Sequence, residues 1–117
     1  MTRTPVPFDV GFSDAEVTGY EMDADKFIVR VNAWNEQPLT ITFADPLGVA
    51  DRGIGDISDF VQESSHSPFM QEVITRAYEK VHHPIPYYLF QFLDLDGEAA
   101  LEVIATSAKI CRTTDRQ

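Results

Sequence analysis

A chain of 117 residues is the size of one domain, long enough to bury a core without disulfide or metal staples. Its 44% hydrophobic content is that of a globular protein and excludes wholesale disorder. Nineteen acidic residues against nine basic ones give a net charge of −10, which phosphate backbones and anionic membranes repel, so nucleic-acid and membrane binding are disfavoured.

The single cysteine, Cys111, cannot close an internal disulfide and fits a reducing compartment. It reads as a half-buried small apolar residue. No apolar run approaches the roughly 18 residues needed to span a bilayer. Met1 to Pro7 carries Arg3 but no following apolar region, so a signal peptide is not expected here. A cytoplasmic protein is expected, with a loose lead-in over 1–7, one domain over 8–111 and a frayed tail over 112–117.

The first strand candidate runs near Ala15 to Met22, and Asp23-Ala24-Asp25 is a turn signal. Lys26 to Trp34 alternates most clearly. Phe27, Val29, Val31 and Ala33 share one face, and Ile28, Arg30, Asn32 and Trp34 share the other. Asn35 to Pro38 turns the chain into a third strand with Leu39, Ile41 and Phe43 on one face. Short connections predict an antiparallel meander. Residues 45–55, with Pro46, Gly48, Gly53 and Gly55, read as a loop. Residues 56–63 fit a short strand or a helical turn, with the extended form favoured.

Ser67-Pro68 then predicts a helix start, since Ser caps and Pro suits the first helical position. Phe69, Met70, Val73, Ile74, Ala77 and Tyr78 make an apolar stripe, and the helix should end near Lys80 because Pro84 and Pro86 follow. Tyr87 to Leu93 alternates, with Tyr88, Phe90 and Phe92 on one face. Asp94 to Gly97 is a hairpin signal, and Ala99 to Ile110 is the return strand. The expected fold is α+β: a mainly antiparallel sheet of five or six strands with one main helix packed on one face.

No catalytic constellation emerges. Asp94-x-Asp96-Gly97 opens like a calcium loop, but position 12 is Ala105 and the flanks are strand-like, so a tight turn is the better reading. His82 and His83 are adjacent and diverge, and His66 sits among Ser64, Ser65 and Ser67 without zinc-ligand spacing or a nucleophile elbow. No metal, cofactor or catalytic residue is assigned. The aromatics are more suggestive. Trp34 beside Glu36, together with Asp45, Asp51, Asp56, Asp59 and Glu63, makes a candidate partner-binding set. The competing reading puts Trp34 in a second core layer or a homodimer seam.

Several segments together resemble a known kind of protein: Phe12 to Val17, Phe27 to Val31 with Trp34, Leu39 to Phe43, Tyr88 to Gly97, and Leu101 to Ala105. They resemble small acidic immunity proteins of bacterial polymorphic toxin systems. The resemblance covers most of residues 12–110 and rests on strand and turn grammar. It implies a non-enzymatic protein that binds and blocks a cognate toxin, and no site residue is carried over. The acidic charge independently suits a basic protein partner. A small-ligand or carbohydrate binder using Trp34 and the tyrosines is the alternative, and a metal-dependent hydrolase using His66, His82 and His83 ranks last. A homodimer through the second face of the sheet is expected, because Ile28, Trp34, Tyr87 and Leu89 would otherwise be exposed.

Overall fold

The structure is a computed structural model and describes residues 3–5, 11–63 and 87–112. The described chain forms ten strands: β1 (Arg3–Pro5), β2 (Ala15–Asp23), β3 (Lys26–Asn32), β4 (Pro38–Ala44), β5 (Gly48–Asp51), β6 (Asp56–Ile57), β7 (Asp59–Glu63), β8 (Tyr88–Leu93), β9 (Ala99–Ala105) and β10 (Ser107–Arg112). They build two five-stranded antiparallel sheets. Sheet I has the order β1-β7-β8-β9-β5, and sheet II the order β10-β4-β3-β2-β6.

The expected α+β fold is therefore corrected. Among the described residues there is no helix, and the face of the meander reserved for one is covered by another sheet. The segment expected to be helical, 67–80, lies outside the described residues. The physical reason for the error is that alternation shows which residues face a core but not what lies across it. Phe27, Val29, Val31, Leu39, Ile41 and Phe43 of sheet II share one cluster with Phe60, Phe90, Phe92, Leu101 and Val103 of sheet I. Phe43 is the central piece, with ring centroids 6.0 Å from Phe60, 5.4 Å from Phe90 and 6.3 Å from Phe92.

Three strands bend from one sheet into the other. β4 leads into β5 through 45–47, β6 into β7 through Ser58, and β9 into β10 through Thr106. Taking each bent strand as one, the pairings run β2, β3, β4/β5, β9/β10, β8, β6/β7 and back to β2. The two sheets thus form a closed, barrel-like ring of six strands, which removes most free edges.

Local chemistry explains the bends. Asp45 takes a left-handed backbone conformation (φ 50°), and its carboxylate accepts from the Thr106 hydroxyl at 3.2 Å. The Thr106 amide donates to the Ala44 carbonyl, and the Leu47 amide to that of Ile104, so the ladder is carried around the corner. Loop 45–55 was expected to lack regular structure; it contains β5, whose Gly48, Val49, Ala50 and Asp51 pair with Ile104, Val103, Glu102 and Leu101. The return strand, expected over Ala99 to Ile110, is broken into β9 and β10 at Thr106. Residues 56–63 are extended, as favoured, but shared between two strands.

Candidate functional site

The β3–β4 connection presents the exposed tryptophan. The Glu36 amide donates to the Ala33 carbonyl at 2.8 Å, and the Ala33 amide to the Gln37 carbonyl at 2.9 Å. The Gln37 amide also bonds to the Asn35 side-chain oxygen at 3.1 Å. Glu36 has φ 66°, so the loop is a tight turn followed by a left-handed residue, one of the common three-residue hairpin forms. Trp34 takes the first central position of this turn and is 62% exposed. It is neither a core layer nor part of a flat sheet face.

The β8–β9 connection repeats this construction. The Gly97 amide donates to the Asp94 carbonyl at 3.0 Å, and the Asp94 amide to the Glu98 carbonyl at 2.7 Å, with Gly97 at φ 82°. The Asp94 carboxylate accepts from the amides of Asp96 and Glu98 at 2.9 and 3.0 Å. That carboxylate is spent on its own turn, which confirms the turn reading of Asp94 to Gly97. Leu95 stands where Trp34 stands in the other hairpin, and it is 66% exposed. Sequence reading passed over Leu95; the shared turn pattern was the signal that could have found it.

The acidic residues singled out from sequence do not form one patch. Glu36 stays beside Trp34. Asp45 sits at the far end of β4 and braces the corner. Asp51 accepts from the Tyr20 hydroxyl at 2.5 Å and the Gly53 amide at 2.8 Å. These two donors hold its carboxyl below the ordinary range, the Tyr20 bond being the larger cause. The same bond raises the Tyr20 phenol. Asp59 caps the Phe60 amide at 2.8 Å. Asp56 is exposed on β6, directly opposite the exposed Glu16 of β2.

Glu63 is buried, at 4% exposure, on the outer face of sheet I. It shares that face with Gln91 and Glu102, two buried polar residues that sequence reading left unassigned. Gln91 donates to Glu102 at 2.7 Å, and Arg52 pairs with the other oxygen of the same carboxylate. Among the described residues, Glu63 Oε1 has no hydrogen-bond partner.

The residues expected to form a dimer face are dispersed. Ile28 is half-buried on sheet II between Glu21 and Thr42, Leu89 is fully buried in sheet I, and Trp34 is on a hairpin tip. Cys111 is exposed on β10, not half-buried as expected, because β10 is an edge strand and Cys111 points away from the core with Lys109. His66, His82 and His83 lie outside the described residues. Among the described residues no group of three or more His, Cys, Asp or Glu side chains is placed to hold a metal, and no helix is long and apolar enough to cross a membrane. No protein-family model, curated protein or solved structure matches the chain.

Proposed function

We propose that this chain is a non-catalytic protein-binding domain that engages a basic partner through Trp34 and its acidic neighbours, in the manner that the immunity-like resemblance implies. The observation that carries the reading is a tryptophan 62% exposed on a turn held by backbone hydrogen bonds. A large aromatic exposed on a preordered tip loses little conformational entropy on binding, and tryptophan is enriched among interface hot spots. The net charge of −10 selects a cationic partner and speeds its approach. The cytoplasm is the proposed site of action, where an exposed Cys111 stays reduced. The small-ligand alternative is less favoured, because Trp34 stands 62% exposed on a hairpin turn and the Tyr20 hydroxyl is engaged by Asp51.

The test is capture from cells of the source organism with the wild-type chain and with Trp34→Ser, at low and high salt. A stoichiometric basic protein, retained at low salt and weakened by about 2 kcal/mol or more in the variant, is expected. Equal capture by both chains would refute the role given to Trp34. Neutralisation of the captured protein's toxicity is the further test of the immunity-like reading.

A further inference from the structure

The two exposed hairpin tips are linked at their bases. Glu16 pairs with Asn32 and Ala15 with Ile57, so β2 and β6 lead away from the Trp34 hairpin. The next residue, Ser58, donates its amide to the Leu93 carbonyl at 2.8 Å and its hydroxyl to the Asp94 carbonyl at 2.8 Å, at the base of the Leu95 hairpin. About three strand spacings, roughly 15 Å, therefore separate the two bases. The link passes over the corner where β6 bends into β7.

This corner is rich in acidic residues. Asp14, Glu16, Glu36, Asp56, Asp59, Asp94, Asp96 and Glu98 lie on or beside it, and no Lys or Arg occurs in 11–18, 31–38, 53–63 or 89–100. Glu16 and Asp56 are directly cross-strand and both exposed, an arrangement of like charges that weakens a sheet. The Lys26–Asp25 and Arg30–Glu21 pairs lie further along β2 and β3, whereas Arg52, paired with Glu102, donates its amide to the Ala100 carbonyl beside the Leu95 hairpin, and Arg112 stands opposite Leu39 beside the Trp34 hairpin. Two large apolar side chains stand exposed at the margins of this anionic strip.

We propose that Trp34 and Leu95 are paired anchors of one docking surface, and that its occupant is a cationic protein segment carrying apolar side chains. The segment's lysines or arginines lie over Glu16 and Asp56, and its apolar residues cover the two tips. This inference rests on the protein-binding reading above and adds Leu95, the Glu16–Asp56 pair and the chemistry of the partner to it.

The probe is a synthetic peptide of alternating Lys and Leu, with a Lys/Ser peptide as control, titrated into the isotopically labelled full chain. Amide shifts are expected at 12–16, 32–37, 54–59 and 93–98, with the control peptide binding more weakly. Leu95→Ser and Trp34→Ser should each weaken binding roughly tenfold while leaving the remaining spectrum native, since both side chains are exposed. Glu16→Gln combined with Asp56→Asn should flatten the salt dependence. Shifts located elsewhere, no shift at all, or an affinity unmoved by Leu95→Ser would overturn the proposal. If Trp34→Ser weakens binding and Leu95→Ser does not, the paired surface fails and the Trp34 reading stands. If neither does, both fail.

Discussion

Single residues in this chain carry opposite roles that depend on one bond or one dihedral angle. The Tyr20–Asp51 bond joins β2 of sheet II to β5 of sheet I. Asp51 is lowered, so its share of stability exists above its unfolded pKa and is lost as pH falls through the folded one. Tyr20 is raised, so its share exists below its unfolded pKa and is lost as pH rises through the folded one. Tyr20→Phe should therefore destabilise the protein between about pH 5 and 9, and the difference from wild type should vanish in strong acid and shrink in strong alkali. Urea denaturation across pH reads this directly; a pH-independent difference would show that the effect does not come from the Tyr20–Asp51 bond. The two hairpins offer a second comparison. Glu36 occupies the left-handed position that Gly97 fills in the other turn. Glu36→Gly should raise stability by about 0.5–1 kcal/mol, and Gly97→Ala should lower it by about 1 kcal/mol. Thermal midpoints of the two variants should move in opposite directions.

At the scale of elements, the outer face of sheet I is the unusual one. A sheet face that carries Glu63, Gln91 and Glu102 among Val61, Leu89 and Ile104 alternates poorly in sequence, yet all six residues are buried. The two glutamates differ in their partners. Glu102 is held by Gln91 and Arg52, although Arg52 is half-exposed and its share of the pairing is screened. Glu63 leaves one oxygen without a donor among the described residues. Glu63→Leu should accordingly stabilise the protein by about 1–2 kcal/mol, whereas Glu102→Leu, which deprives Gln91 of this acceptor, should cost about 1–3 kcal/mol. Equal losses for both, measured by chemical denaturation, would show that Glu63 has a donor that the geometry does not reveal. The strands were largely legible from sequence: β2, β3, β4 and β8 fall where alternation puts them. β5 was hidden, because Gly48 to Asp51 is short, has little alternation and sits in a glycine-bearing stretch. β9 and β10 looked like one strand because Thr106 gives no breaking signal, and only the bond to Ala44 turns it into a corner.

At the scale of the whole molecule, one phenylalanine cluster joins the two sheets. Phe60 and Phe92 stack at 4.3 Å within sheet I, and Phe43 reaches them from sheet II. Phe43 is 0% exposed. Phe43→Ala should cost about 3–5 kcal/mol and lower the cooperativity of unfolding, since it removes contacts on both sides of the core at once. A loss near 1 kcal/mol in thermal or urea unfolding would mean that the sheets unfold separately. The candidate surface is a product of the same architecture. Trp34 and Glu36 were legible as neighbours along the chain, but Asp45, Asp51 and Glu63 were grouped with them by charge alone, and the fold sends each elsewhere. Leu95, Glu16 and Asp14 join the surface because the β6–β7 bend brings distant segments to one corner.

What the sequence determined by itself was local: which residues alternate, where the chain turns, which side of β3 and β4 faces a core, and how acidic the surface is. These follow from side-chain period and turn chemistry, which act within a few residues. The tertiary structure decided what lies across that core, which strands bend between sheets, and which charges end up together. Alternation is the same whether a sheet packs on a helix or on another sheet. The choice depends on contacts between residues far apart in the chain, and no local pattern records them.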